Sequence, residues 1–244
     1  MKKLLSVLFF TIGLYGTQIV ELSGDKGYPP YSYEENGIAK GVYVDILKKA
    51  FDKIEDYEVK FNMVAYKRAI SMVKSGLTVA FFPPYYGKER IKWTKFSVPI
   101  LAERTIVFSK MEILKEKVNY PEDFYGMKVC LNRGFNKSLL GGEKFAKAIG
   151  EKKLILIEGN DNKACLNRVV RGMADFYIND QLIDTSRFKS IVKGMKAKDN
   201  FGHIGFTLKT EKYPYIEDLE MKLNDVIKQM KLSGEIESIL KKYK

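Results

Sequence analysis

FFPPYYGKERIKWTKFSVPI, residues 81–100, begins as an apolar strand running off a helix that Gly76 ends. Pro83 and Pro84 remove two backbone donors and fix φ, so the strand must stop there. The chain then exposes Tyr85 and Tyr86 and presents Arg90 before a second apolar run. Open α/β sheets bind ligands at the carboxyl ends of their strands, which is where this loop falls. Arg90 offers a planar fork suited to a carboxylate, and the aromatics can shape a slot around a small molecule. The competing reading is a surface loop carrying a solvated arginine.

Upstream, residues 18–22 form a short strand leading into GDKGYPPYSYEENG, a loop rich in Gly, Pro and Tyr that turns at Asn36-Gly37. A helix over 43–53 follows, with Val44, Leu47, Phe51 and Ile54 on one face. Residues 59–64 alternate as a strand, and 67–74 form a short helix whose C′ position suits Gly76. Strands alternating with helices over short connections predict an α/β lobe with a largely parallel sheet.

Downstream the design repeats. After a strand at 105–108 and the PEDFYG turn come a strand at 128–131, a loop at 132–136 and a helix through Phe145 and Ile149. A strand at 154–157, a helix at 163–171 stopped by Gly172, and a strand at 175–178 ending at Asn179-Asp180 complete it. VKSGLTVAFFPPYY and VVRGMADFYINDQL each place a glycine-stopped helix before a short aromatic strand. The echo is structural rather than a strict repeat, and it predicts two lobes of like design. The chain returns through an apolar, strand-like segment at 201–208. Two helical stripes follow: Leu219, Leu223, Val226 and Met230, then Ile236, Ile239, Leu240 and Tyr243.

The N-terminus, MKKLLSVLFFTIGLYG, has a basic start, an apolar run too short to span a bilayer comfortably, and a small residue at Gly16. It reads as a cleaved secretory signal, with an uncleaved anchor as the alternative. The 244 residues are 45% hydrophobic and 13% aromatic, enough for a real core in two modest lobes. The net charge is +12, including Lys2 and Lys3 of the leader. The lysines are scattered on helix faces with no nucleic-acid-binding motif, so a solvated basic surface is expected and no nucleic-acid partner. Cys130 and Cys165 are too far apart in sequence for a CxxC pair; they form a disulfide or stay as two buried thiols packed as small hydrophobes. His203 is the only histidine, which leaves no metal site, no cofactor motif and no Ser-His-Asp set; it reads as a strand or hinge residue.

Five segments, in order, resemble the family 3 extracellular solute-binding proteins, the receptors of polar amino-acid ABC importers. GYPPYSYEENGIAKGVYVDILKKAF resembles the family's opening motif. AYKRAISMVKSG and ERIKWTKFSVPI are similar to its W-x-R-A…L-x-x-G and E-R…F-S-x-P signatures. GMADFYIND and LNDVIKQMKLSGEIESILKKYK resemble its G-x-x-D-x-x-x-x-D and closing motifs. The resemblance implies a periplasmic-binding-protein-like (type II) α/β fold of two lobes joined by two crossover strands. After a signal peptide at 1–16, residues 17–108 plus 207–244 make lobe one and 109–206 lobe two. A monomer is implied, with a small ligand clamped between the lobes and delivered to an inner-membrane ABC permease from the periplasm.

Residue by residue, the resemblance matches Arg90 to the arginine that pairs with a ligand carboxylate and Asp180 to the aspartate that receives an ammonium group. Tyr28, or else Tyr31, matches the aromatic that covers the ligand. Arg133-Gly134-Phe135 occupies the lobe-two loop whose backbone donors help hold the carboxylate. The departures are Pro84, Tyr85 and Tyr86 in place of small hydroxylated residues, Val79 for an aspartate, and Tyr66 for a tryptophan, with Arg68 retained. They predict a more aromatic and more basic pocket. Two alternatives stand beside the receptor. One is a ligand-sensing module. The other is an enzyme resembling the cyclohexadienyl/arogenate dehydratases, for which Glu34, Glu35 or Glu89 is the acid or base on offer.

Overall fold

The computed structural model describes residues 16–243. The leader expected at 1–16 lies, Gly16 apart, outside the described residues. In chain order come β1 (Gln18–Asp25), the short β2 (Gly27–Tyr28), β3 (Ser32–Glu35) and β4 (Ile38–Lys40), and helix α1 (Val42–Phe51). Then follow β5 (Tyr57–Val64), α2 (Tyr66–Ser75), β6 (Ala80–Phe82), β7 (Thr94–Phe96) and β8 (Leu101–Ser109). The one-turn α3 (Met111–Leu114) precedes β9 (Lys128–Asn132), α4 (Lys137–Gly150), β10 (Ile155–Gly159), α5 (Asn162–Val170) and β11 (Phe176–Asp180). The chain closes with β12 (Val192–Gly202), β13 (Gly205–Thr207), α6 (Ile216–Leu232) and α7 (Glu235–Lys241).

Two five-stranded sheets are built to one plan and define the two lobes. The first runs β5-β1-β6-β13-β7 and the second β10-β9-β11-β8-β12. In each, three parallel strands are followed by two that pair antiparallel. The sheets are therefore less uniformly parallel than the alternation of elements suggests, because one strand in each, β13 and β8, runs against the others. The chain passes from the first sheet to the second between β7 and β8, and returns between β12 and β13. This is the two-lobed α/β architecture that the sequence implies.

The helices form where apolar spacing and terminators dictate. α1 buries Val44, Leu47 and Phe51, with Ile54 buried just beyond its end. Each such side chain removed from water contributes about 1.5–3 kcal/mol. α2 ends at Gly76, whose φ of 66° is the left-handed C-cap conformation glycine adopts without strain. α6 and α7 bury Leu219, Leu223, Val226, Met230, Ile236 and Ile239 and pack on α1. Tyr243 Oη adds a 2.7 Å hydrogen bond to Asp45.

Three features go beyond the sequence reading. The GYPPYSYEENG segment, with residues 38–40 that follow it, forms the three-stranded β2-β3-β4 sheet rather than an open loop, and Asn36-Gly37 supplies its two-residue hairpin turn with φ of 52° and 74°. The returning segment is two strands broken at His203-Ile204, with β12 starting far upstream at Val192. His203 is buried there, its N–H donating to the Pro84 carbonyl at 3.0 Å. Cys130 on β9 and Cys165 on α5 form a disulfide with Cα atoms 5.5 Å apart, which resolves the two open states of those thiols.

Candidate functional site

The two lobes meet where β1, β6 and the start of α2 in the first lobe face the β9–α4 loop and the end of β11 in the second. A small cavity there is lined by Asp25, Tyr28, Tyr66, Pro83, Tyr85 and Arg90 from one side, and by Phe135, Asn136, Leu139 and Leu140 from the other. Its volume is ≈ 30 Å³, room for about two water molecules. Ligand uptake therefore requires the lobes to part or the tyrosines to withdraw. Beyond Phe135 it adjoins an open groove of ≈ 640 Å³ bordered by Asp25, Lys26, Glu34, Lys67, Arg133 and Asp161.

Arg90 sits in the loop that the two prolines force out of β6. It is 8% exposed, and Nη1 donates to Tyr66 Oη at 2.8 Å and to the Tyr85 carbonyl at 3.1 Å. Among the described residues no carboxylate pairs with it, so a buried cation faces the cavity with donors to spare. Tyr28 stacks on Tyr31 at 5.0 Å and meets Phe135 edge-on at 6.0 Å. Phe135 also meets Tyr66 at 5.5 Å, so aromatic contacts join the lobes on both sides of the cavity. Both alternatives for the covering aromatic are present: Tyr28 lines the cavity and Tyr31 lies behind it.

Asp180, fully buried at the end of β11, accepts the Tyr31 hydroxyl and the Leu182 N–H through Oδ1. Its Oδ2 is buried with no hydrogen-bond partner among the described residues. Orphaned polar atoms of this kind are rare in folded proteins and call for a missing donor. Burial pushes the Asp180 carboxyl above its usual range, against the lowering effect of those hydrogen bonds.

The sequence reading missed Glu103, on β8. It is 2% exposed and accepts three tyrosine hydroxyls: Tyr85 at 2.6 Å and Tyr28 at 3.0 Å on Oε2, and Tyr43 on Oε1. Burial, and then the charge of nearby Asp180, push its carboxyl up, while the three hydroxyls oppose the shift. Gly202 passes so close that a Cβ there would lie 1.7 Å from Tyr43 Oη and 2.7 Å from Glu103 Oε1. The signal was in LAERT, where Leu101, Glu103 and Thr105 share the buried parity of an alternating strand.

The sequence profile of the bacterial extracellular solute-binding proteins, family 3, matches residues 20–244. The chain belongs to that family. No curated protein matches it by sequence. Among solved structures, this family 3 protein is similar to a histidine kinase sensor domain that resembles periplasmic binding proteins. That pair has a TM-score of 0.75 and 20% identity, covering 93% of this chain and 96% of the other. It is also similar to an ancestral amino-acid-binding protein, a precursor of cyclohexadienyl dehydratase, with a TM-score of 0.74, 22% identity and coverage of 92% and 94%. A third is an amino-acid ABC transporter substrate-binding protein from Streptococcus pneumoniae bound to L-arginine, with a TM-score of 0.72, 15% identity and coverage of 92% and 94%. At these identities the likeness is one of fold.

Within the family 3 scaffold, Arg90, Tyr28, Tyr66, Tyr85 and Phe135 converge on one cavity, and Tyr31 and Asp180 lie together behind it. Arg133 is exposed at the groove, 3.7 Å from Glu158. Arg68 is exposed on α2 and borders neither space. Glu35 and Glu89 are exposed partners of Lys40 and Lys92, and Glu34 borders the groove. The interior is aromatic, as the departures suggest, but it is acidic rather than basic: Asp25, Glu103 and Asp180 are buried with Arg90.

Asp25 gives a pH signature. Burial raises its carboxyl to about 7, opposed by the Gly27 N–H at 2.9 Å. The folded state then holds a proton that the unfolded chain releases near pH 4, so stability from this group falls as pH rises from about 4 to 7. Asp25→Asn keeps the acceptor for Gly27 and should stabilise the protein by about 2 kcal/mol at pH 8, after discounting for water reaching the open cleft, with little gain at pH 4. Thermal unfolding of both proteins across that range checks it. A gain independent of pH would contradict the assignment.

Proposed function

We propose that this protein is a receptor that closes on a small polar ligand, an amino acid or a related carboxylate, and delivers it to an ABC importer. The observation that carries the reading is a pair of buried, ionically unpartnered groups, the Arg90 guanidinium in one lobe and the Asp180 carboxyl in the other. A ligand with complementary charges satisfies both only when the lobes are together, and that differential affinity drives closure. The family membership and the basic, apolar leader support a role outside the cytoplasm, with an inner-membrane permease as partner. Among the described residues no helix is long and apolar enough to cross a membrane.

One observation favours a second reading. Glu103 is a buried carboxyl with a raised pKa, the kind of group an acid–base enzyme such as a dehydratase needs. Tyr28 and Tyr85 stand between it and the cavity, which favours the receptor. A thermal-shift screen over amino acids, dicarboxylates and peptides, with prephenate and arogenate turnover assayed in parallel, tests both. At a hundredfold excess over Kd a true ligand stabilises the protein by about 2.7 kcal/mol. Turnover of either compound would replace the receptor by the enzyme.

A further inference from the structure

The Glu103 cage backs the tyrosines of the cavity that Arg90 also lines. Tyr28 and Tyr85 line the cavity, and their hydroxyl oxygens lie 3.0 Å apart with both bonded to Glu103 Oε2. A phenol has one proton and two acceptor lone pairs, whereas an ionised carboxylate only accepts. While Glu103 is ionised, both protons are therefore spent within the cage, and any part of the two oxygens that reaches the cavity offers lone pairs alone. Tyr43 occupies the other carboxylate oxygen and holds Glu103 in place, with Gly202 leaving the room it needs. All three tyrosines come from the first-lobe segments and Glu103 from the start of β8, the strand by which the chain enters the second sheet, so the cage sits at the crossover between the lobes.

We infer that Glu103 is a specificity-determining positioning residue that, ionised beside a bound cation, turns Tyr28 and Tyr85 into acceptors and so selects ligands bearing a cationic amine or guanidinium group. The inference rests on the receptor reading and names its ligand class. The orphaned Oδ2 of Asp180 and the carboxyl of Asp25 point the same way. Among the described residues four carboxyls are buried with one guanidinium; Glu220 is paired with Lys95, which leaves Asp25, Glu103 and Asp180 beside Arg90. Burial raises all three, so beside a neutral or acidic ligand they keep protons, and a cationic ligand is what lets them ionise. A ligand whose carboxylate meets Arg90 and whose cationic end meets the tyrosine wall balances the site.

Calorimetry with the chain lacking its leader provides the test. L-arginine and L-citrulline have nearly the same shape and differ in the charge of the terminal group. L-lysine and L-glutamine give a second cationic and neutral pair, and L-glutamate an acidic ligand. The wild-type protein should prefer the cationic member of at least one pair by about tenfold or more, the scale of one charge-assisted hydrogen bond. Glu103→Gln supplies an amide that can donate to the tyrosines; it should lower that preference by about tenfold while neutral ligands change by less than about threefold. Glu103→Asp, which keeps the charge, should restore part of the preference.

Measuring heats in buffers of different ionisation enthalpy adds a readout that a purely structural glutamate would not move. A cation beside carboxyls raised by burial and by each other releases protons on binding, and Glu103→Gln should reduce that release. If Glu103→Gln does not fold, Tyr85→Phe, which removes one wall acceptor, should narrow the same preference. An unchanged cationic preference in the folded variants overturns the inference. Tight binding of glutamine or glutamate, lost in Arg90→Ala, overturns it too while leaving the receptor reading intact. Failure of the wild-type protein to bind any amino acid overturns the inference, and the receptor reading falls with it when the dicarboxylates and peptides of the thermal-shift screen fail as well.

Discussion

Arg90→Ala should weaken ligand binding by roughly thirtyfold to several thousandfold. The guanidinium is buried, lines the cavity and, among the described residues, has only Tyr66 Oη and the Tyr85 carbonyl as acceptors. Truncating one side of a desolvated, hydrogen-bonded charge pair costs about 2–5 kcal/mol, much of it from stranding the other charge. Here the stranded charge is the ligand carboxylate. Asp180→Ala then distinguishes ligand classes. For an ammonium-bearing ligand the loss should approach that of Arg90→Ala, because the cation loses its partner. For a ligand with carboxylates alone, affinity should hold or improve, since a buried negative charge leaves the cleft. Calorimetry on both variants, with melting curves to establish that they fold, is the measurement. Unchanged affinity in folded Arg90→Ala would remove Arg90 from the site.

The second large effect concerns stability. Replacing Cys130 and Cys165 together by alanine should cost about 4 kcal/mol, the loop-closure entropy of a 35-residue separation. For a chain of this size that is a fall of about 8–16 °C in Tm. Both cysteines are fully buried, so lost packing adds to the entropic term. Neither borders the cavity, and affinity in the folded double variant should stay within about threefold of wild type. The link pins α5 to β9 beneath a polar cluster in which Asn162 Oδ1 accepts from Asn132 at 2.7 Å, Tyr177 at 2.9 Å and Asn179 at 3.0 Å. Melting with and without reductant, and mass under non-reducing conditions, check this. A Tm unmoved by the double substitution would show that the link carries no stability.

Much of this was legible in one dimension because periodicity and terminators are local. The α1 stripe, the Gly76 stop, the Asn36-Gly37 turn and the proline-ended β6 each follow from neighbours a few residues apart. β12 was hidden because it is an edge strand whose Lys193, Lys196 and Lys198 keep that edge from pairing with other chains, and they erase the apolar alternation that marks interior strands. Arg68 shows a related limit. It lies two residues from Tyr66, about 200° around the helix, so a motif containing both cannot aim both at the cavity. The cysteine pairing depended on a Cα separation that only the fold supplies. Glu103 depended on noticing a charge at a buried parity, and its three tyrosine partners come from positions 18, 60 and 75 residues away.

The strand order also dictates how the molecule is put together. β13 lies between β6 and β7, yet its residues 205–207 are made after the whole second sheet, which occupies an unbroken run from Leu101 to Gly202. Until that late strand arrives, β6 and β7 have no shared partner, and α1 lacks the cover of α6 and α7. The later-made lobe can therefore complete its hydrogen-bonded sheet first, reversing the usual N-to-C order of domain folding. A chain cut short before Gly205 would carry Arg90 on a loop with no finished sheet beneath it, and grip on a ligand comes only with the last forty residues or so.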